Sequence, residues 1–115
     1  MAVYKGKCHC GAVVFEIDTT LDRVARCNCS LCRRRGALMH YVTEDRFKLC
    51  TGEEHLSLYQ FHTNTAKHYF CKTCGIYPFH RPRTKPGFYG INVGCLEDVD
   101  VSHLEPELLD GKALD

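Results

Sequence analysis

The chain has 115 residues, with 15 Lys and Arg against 14 Asp and Glu, which gives a formal net charge of +1. This near-neutral balance excludes a general affinity for nucleic acid or for a membrane surface. Hydrophobic residues make up 44% and charged residues 25%, which excludes a disordered composition and predicts one small globular domain over 1–115. We expect a tail after residue 110.

The first elements along the chain are predicted to be short strands separated by turn residues. Alternation of apolar and polar residues indicates most of these strands. Two of them, 66–71 and 76–79, flank a turn. Pro78 restricts the second of this pair to an edge or an irregular strand. A loop is predicted at 81–87, which holds two prolines and a glycine. The predicted strands are 12–17, 38–42, 55–61, 66–71, 76–79 and 88–93.

Helical signals are few. Residues 28–35 are expected to form one or two helical turns, with Gly36 as the cap that ends them. Another short turn is predicted over 102–109, and 110–115 are expected to fray. The fold class is therefore mainly β, a single small domain of roughly seven to nine short antiparallel strands with few helical turns.

Nine cysteines are the most unusual feature of the composition. The first residues lack the basic-then-apolar layout of a secretory signal, and no apolar run is long enough to span a membrane. We therefore expect a cytoplasmic protein, in which metal ligation is favoured over disulfides. A pure disulfide framework would also leave one thiol over, because nine is odd.

Two cysteine pairs predict a closed zinc site. Cys71-Lys-Thr-Cys74-Gly75 is typical of a knuckle turn that aims two sulfurs at one point. Cys8 and Cys10 are two apart, so on an extended chain both sulfurs point to the same side. Together they predict a four-thiolate structural zinc site. The alternative is a redox-active Cys-x-x-Cys, which is disfavoured because no βαβ pattern surrounds it.

The second cluster is Cys27-Asn-Cys29-Ser-Leu-Cys32, with three thiolates within six residues. Three protein ligands and a vacant position describe a catalytic zinc site, where zinc acts as a Lewis acid or lowers the pKa of a bound thiol. The alternative is a closed structural site whose fourth ligand is Cys50, Cys95 or a histidine. Spacing alone leaves both interpretations open.

A basic run, Arg33-Arg34-Arg35, directly follows this cluster. It can offset the negative charge of the thiolates or bind the carboxylates of an anionic substrate. A solvated helix face is the simpler interpretation for at least one of the three. The run is too short to indicate nucleic-acid binding.

These motifs together resemble the glutathione-dependent formaldehyde-activating family, which includes centromere protein V. The resemblance covers roughly residues 4–100 and implies a β-tent fold. It also implies two zinc ions per chain, one structural and one labile, with glutathione bound near the labile one. The matching motifs are Gly6-Lys-Cys8-His-Cys10-Gly11, Cys27-Asn-Cys29-Ser30-Leu-Cys32-Arg33, Phe70-Cys71-Lys-Thr-Cys74-Gly75 and the closing stretch Ile91-Asn-Val-Gly-Cys-Leu-Glu-Asp98.

The resemblance implies carbon–sulfur lyase-type chemistry that joins glutathione to formaldehyde and forms S-hydroxymethylglutathione. It implies that Cys8, Cys10, Cys71 and Cys74 hold the structural zinc and that Cys27, Cys29 and Cys32 hold the second. The thiol would be deprotonated at this second group and would attack the electrophile. The assignments made from position are Arg33 and Arg34 for glutathione carboxylates, Arg81 and Arg83 as weaker candidates, and His80, then His62 or His68, for proton transfer.

Two other functions are kept as alternatives. One is a non-enzymatic zinc module that binds a partner protein or senses zinc or thiol status. The other is thiol redox chemistry like that of methionine sulfoxide reductase B, with Cys95 as nucleophile. The zinc cysteines of that enzyme form two Cys-x-x-Cys pairs, whereas Cys8 and Cys10 of this chain form a Cys-x-Cys pair, and this difference counts against the redox function. The simpler interpretation of Cys95 and Cys50 is that both are small buried residues.

Overall fold

The structure, a computed structural model, describes residues 2–114, and strands account for most of its regular elements. Its only α-helix within that range is α1, Ser30–Arg35, and five short 3-10 helices occur at turns. No helix in the described range is long and apolar enough to cross a membrane. The ten strands are β1 Ala2–Lys7, β2 Val14–Thr19, β3 Ala25–Cys27, β4 Met39–Thr43, β5 Phe47–Thr51, β6 Leu56–Tyr59, β7 Lys67–Cys71, β8 Phe79–Arg81, β9 Phe88–Asn92 and β10 Glu107–Leu109.

The strands form two sheets. The smaller has the order β1-β2-β5 and is antiparallel throughout. The larger has the order β10-β3-β4-β9-β8-β7-β6. Its strands are antiparallel except for β10, which pairs parallel with β3. The parallel pair is possible because the chain returns across the molecule after β9.

The core lies between the sheets. Phe15 and Ile17 alternate with half-buried residues on β2, so both point inward, and both are buried. The ring of Phe15 packs on Gly6 of β1, where an added Cβ would lie 2.2 Å from the ring. It also contacts Phe47 of β5 and Phe79 of β8, each at 5.8 Å between ring centroids. Aromatic contacts therefore join one sheet to the other.

The mainly β fold class is confirmed, with 41% strand and 18% helix. Most predicted strands are present within two residues of their expected bounds, as β2, β4, β6, β7 and β9. The short helix is also present, and Gly36 ends it with φ +66° in the left-handed region, as the sequence indicated. These elements have strong local patterns, which is why sequence reasoning found them.

The strand predicted at 76–79 is wrong for most of its length. Residues 76–78 are irregular, and β8 begins only at Phe79 and includes Arg81, which was expected to lie in the loop. Asn92 accounts for the irregular segment, because its backbone N–H donates to the carbonyl of Pro78 and its side chain donates to the carbonyl of Tyr77. Asn92 thus provides the hydrogen bonds that a neighbouring strand would otherwise donate to these two carbonyls.

The C-terminal prediction is also wrong in part. A 3-10 helix occurs at Val101–His103, but Glu107–Leu109 is a strand rather than a turn. Residues 110–112, expected to fray, are held by hydrogen bonds to Asn28. Asp115 lies outside the described residues. Four strands were missed, namely β1, β3, β5 and β10.

Candidate functional site

The first cysteine group joins the end of β1 to the end of β7. The Sγ atoms of Cys8, Cys10, Cys71 and Cys74 all lie within 4.8 Å of one another. Cys10 Sγ is 3.6 Å from Cys8 Sγ and 3.6 Å from Cys71 Sγ. Zinc–sulfur bonds of about 2.3 Å place tetrahedral ligands about 3.8 Å apart. The four thiols therefore fit a zinc ion.

The backbone around this group favours thiolates. The N–H of Val13 donates to Cys8 Sγ at 3.3 Å. The backbone N–H of Cys74 lowers the pKa of Cys71, and burial opposes this only in part. Burial would raise the pKa of Cys74, but backbone N–H donors of Cys10 and Ile76 outweigh it and lower that pKa to about 6. Metal ligation requires the thiolate form.

The second group lies where β3 leads into α1. Cys27 is the last residue of β3, Cys29 is the N-cap of α1, and Cys32 is buried within the helix. Their three Sγ atoms lie within 4.8 Å of one another, a spacing that also fits one zinc ion. Among residues 2–114, no other Cys, His, Asp or Glu joins this group.

The three thiols of the second group differ in the direction of their pKa shifts. Burial raises the pKa of Cys32 to about 12, although the nearby Arg35 charge opposes the rise. Burial acts on Cys29 too, but hydrogen bonds outweigh it and lower its pKa, and the N–H of Cys32 donates to Cys29 Sγ at 3.3 Å. Burial raises the pKa of Cys27. Cys29 is thus the thiolate that the chain itself favours most.

The two remaining cysteines lie elsewhere. Cys50 is on β5 of the smaller sheet, half-buried, with its Sγ 3.3 Å from Glu16 Oε1. The sequence interpretation of Cys50 as a buried residue is therefore wrong. Cys95 is buried, its thiol faces the carbonyl of Tyr77, and burial raises its pKa to about 12. A thiol held protonated is a poor nucleophile.

The three arginines of α1 face different ways. Arg33 and Arg34, the residues assigned to glutathione carboxylates, are exposed, and Arg34 donates to the carbonyl of Ser30. Arg35, which sequence reasoning did not assign, reaches into the site. Its guanidinium is 3.4 Å from Cys32 Sγ and lies 3.7 Å from the ring centroid of Tyr77. Its position at the end of the helix was visible in the sequence, but its direction was not.

A cavity of about 130 Å³ opens beside the second group. Its walls combine the three thiols with histidines, one arginine and several aromatic or small residues. The lining consists of Cys27, Cys29, Cys32, Tyr41, Phe61, His62, Thr63, Ala66, His68, His80, Pro82, Arg83, Thr84 and Gly111. All three histidines suggested from sequence position therefore meet at one cavity.

Of the two weaker candidates, Arg81 and Arg83, only one lines this cavity. Arg83 lines the cavity. Arg81 instead pairs with Glu44 at 3.2 Å and lies over the ring of Tyr89. Arg33 lines a second cavity of about 300 Å³, which is also bordered by Cys27 and Cys32. The second cysteine group thus stands in the wall between two cavities.

The C-terminal segment 107–112 covers one side of the second group. Lys112 N donates to Asn28 Oδ1 at 2.8 Å, and Asn28 Nδ2 donates to Asp110 Oδ1 at 3.0 Å. Gly111 lies so close that an added Cβ would be 2.3 Å from Cys27 Sγ. Sequence reasoning missed this contact, since nothing local links Gly111 with Cys27.

Taken together, the fold and the site define a small mainly β protein with two cysteine groups that could hold metal ions. Residues 3–109 match the model of a family described as glutathione-dependent formaldehyde-activating enzyme. Because the match spans nearly the whole chain, the protein belongs to this family. The resemblance stated from the cysteine motifs is confirmed.

Two relatives support the assignment. A Halomonas elongata protein named "Putative glutathione-dependent formaldehyde-activating enzyme" is 34% identical over 79 residues, which cover 61% of this chain and 50% of that protein. The chain thus spans about half the length of this curated relative. The crystal structure of a Rhodobacter sphaeroides protein is 46% identical, covers 91% of this chain and 99% of that chain, and superposes with a TM-score of 0.87.

Proposed function

We propose that this protein adds a thiol such as glutathione to formaldehyde or a related carbonyl electrophile, in a carbon–sulfur lyase-type reaction at Cys27, Cys29 and Cys32. The observation that carries the proposal is a group of three thiols with no fourth protein ligand among residues 2–114, set in the wall of a cavity. Such an open group is typical of catalytic rather than structural sites. Membership of the family supports the choice of glutathione and formaldehyde.

A zinc ion held by the three thiolates would lower the pKa of an incoming thiol, because a nearby cation favours the thiolate. The chain's own residues bind and orient the substrates. Arg83 in the first cavity and Arg33 in the second are each placed to bind a carboxylate of glutathione. Arg34, the next residue of α1, is also exposed and adds positive charge.

The reaction is an addition and needs no oxidant. The thiol sulfur forms a bond to the carbonyl carbon, and the π electron pair moves onto the carbonyl oxygen. The proton lost by the thiol ends on that oxygen, which gives a hydroxymethyl thioether from formaldehyde. A cavity of about 130 Å³ suits a small electrophile.

Calorimetry tests the proposal. Glutathione is titrated into the zinc-loaded protein, into Cys29→Ser and into the matched control Cys50→Ser, whose cysteine lies on the other sheet. We expect the wild type and the control to bind alike and Cys29→Ser to bind at least about tenfold more weakly. Equal binding by all three proteins, or binding by none, contradicts the proposal.

Zinc release separates this function from a non-enzymatic zinc module. A chromogenic chelator competes for the metal, with and without glutathione. An open second group should release one zinc early, and glutathione should change that rate because it occupies the same place. Two ions released together, without any effect of glutathione, would favour the module.

A further inference from the structure

The contact with Arg35 determines which ring nitrogen of His68 carries the proton. Arg35 Nη1 lies 3.3 Å from His68 Nδ1. A guanidinium has donors only, so Nδ1 must accept this hydrogen bond and carries no proton. A neutral imidazole has one N–H, which is therefore on Nε2. One contact thus determines the tautomer of a residue that lines the cavity.

The position of the ring is determined from both sides. His68 lies on β7 and is 9% exposed. Its ring stacks on Phe61, at 5.7 Å between centroids, and on His80, at 5.2 Å. Arg35 is itself held by Cys32 Sγ and by the ring of Tyr77. The imidazole is therefore fixed before any ligand arrives, as a site that stabilises developing charge requires.

Burial and the Arg35 charge also keep the imidazole neutral, because they lower the pKa of His68 to about 4. Neutral His68 cannot act as a general acid in the ordinary way, since loss of its proton would leave an imidazolate. It can donate a hydrogen bond from Nε2 and retain the proton. His80 differs, because its Nδ1 faces the hydroxyl of Tyr77, which can donate or accept.

We propose that His68 is a catalytic residue whose Nε2–H binds the carbonyl oxygen of the electrophile. The inference rests on the proposed function and adds the residue that receives the second substrate. As the sulfur–carbon bond forms, the electron pair moving onto oxygen is stabilised by this donor. The proton released by the thiol reaches the oxygen through solvent, and His68 ends the reaction in its starting form.

The substrate class follows from the donor. An N–H in this place favours electrophiles that develop charge on oxygen, which are aldehydes and related carbonyl compounds. Alkyl halides and disulfides have no such oxygen and would gain nothing from it. The site is therefore assigned to carbonyl electrophiles.

The experiment measures exchange between ¹³C-formaldehyde and S-hydroxymethylglutathione by NMR, above the rate without protein. His68→Phe keeps a ring for stacking but has no donor, whereas His68→Gln keeps an amide N–H near the position of Nε2. We expect His68→Phe to lower the protein-dependent exchange rate about 10²-fold, which is the usual effect of removing one oxyanion-hole donor. His68→Gln should regain most of that loss, and glutathione affinity should be unchanged in both.

The outcomes distinguish the two proposals. A wild type that neither binds glutathione nor accelerates exchange overturns the proposed function, and this inference with it. A wild type that accelerates exchange no faster than His68→Phe overturns the role of His68 alone. A direct measurement that needs no variant is the ¹H–¹⁵N long-range spectrum of zinc-loaded wild type, which should show the Nε2–H tautomer for His68. The Nδ1–H pattern would be decisive against the inference.

Discussion

At the scale of single residues, Arg35 connects the second cysteine group to the histidines. Its guanidinium contacts Cys32, His68 and the ring of Tyr77 at once, and its Nε is buried with no hydrogen-bond partner among residues 2–114. Its neighbours in the basic run, Arg33 and Arg34, are exposed. Three identical residues in a row therefore differ in what they do.

Replacing Arg35 tests this difference. Arg35→Ala should lower the free energy of unfolding by about 2–3 kcal/mol, because a charged hydrogen bond and a cation–π contact are both lost. Arg34→Ala is the matched control and should change it by less than about 0.5 kcal/mol. Denaturant unfolding of the zinc-loaded proteins gives both values. Equal effects would mean that Arg35 is no more than a surface residue.

The neutral state of His68 has a consequence for stability against pH. The pKa of His68 is about 4 in the folded chain against 6.5 for an ordinary histidine. The unfolded chain binds more protons below pH 6.5, so the free energy of unfolding falls as the pH falls from 6.5 toward 4. Between about pH 7.5 and about pH 5.5 His68 should account for about 1 kcal/mol of this loss.

Comparison with His68→Phe isolates this contribution, since both proteins contain the same cysteines and lose metal in acid alike. Over the same pH range, the free energy of unfolding should fall less in the variant than in the wild type, and the difference should equal the His68 contribution. Denaturant titration at each pH measures it. Parallel pH profiles for the two proteins would show that His68 is not neutral in the fold.

At the scale of elements, the C-terminal segment 107–112 completes the second site. β10 pairs with β3, the strand that ends at Cys27, and Asn28 holds the residues that follow. Gly111 can lie against Cys27 Sγ only because it lacks a side chain. The segment therefore determines how much of the second group faces solvent.

Gly111→Ala should displace this segment, because the new Cβ would meet Cys27 Sγ at 2.3 Å and a metal-bound sulfur has little freedom to move. We expect faster release of the second zinc to a chelator and less protection of the amide of Lys112 from hydrogen exchange. Gly94→Ala is the control, since its Cβ would lie at an easier 3.3 Å from Asn92 Oδ1. Release at the wild-type rate by Gly111→Ala would contradict this account.

At the scale of the whole molecule, the four-cysteine group connects the two sheets. Cys8 and Cys10 follow β1 of the smaller sheet, whereas Cys71 is the last residue of β7 in the larger sheet and Cys74 follows it. A metal ion at this group would close a long loop and add its binding free energy to that of folding. The second group lies within the larger sheet and its adjoining helix, so it has no such role.

Cys71→Ser should therefore be far more destabilising than Cys29→Ser. We expect a loss of about 3 kcal/mol or more for Cys71→Ser and a folded, zinc-depleted protein for Cys29→Ser. Thermal unfolding, together with metal analysis of each variant, checks the result. Cys50→Ser serves as the control and should stay within about 1 kcal/mol of the wild type. Similar melting temperatures for Cys71→Ser and Cys50→Ser would rule out a structural role.

What the sequence by itself determined was local. Cysteines two or three apart, with glycines behind them, indicated the candidate ligand pairs, because short spacings leave little freedom for the sulfurs. The cap at Gly36 and the alternating strands followed from the same kind of pattern. The family was recognisable from these motifs in order, and the comparison with known proteins confirmed it.

Only the tertiary structure decided which distant residues meet at the second group. Arg35 rather than its neighbours turns inward because α1 is anchored by β3 and by its cap, and one step along a helix rotates a side chain by about 100°. Gly111 reaches the site because β10 pairs with β3, a distant segment of the chain. His68 on β7 contacts Arg35, which is 33 residues earlier in the chain. No local pattern records such contacts, because their free energy comes from packing that forms only when the whole chain has folded.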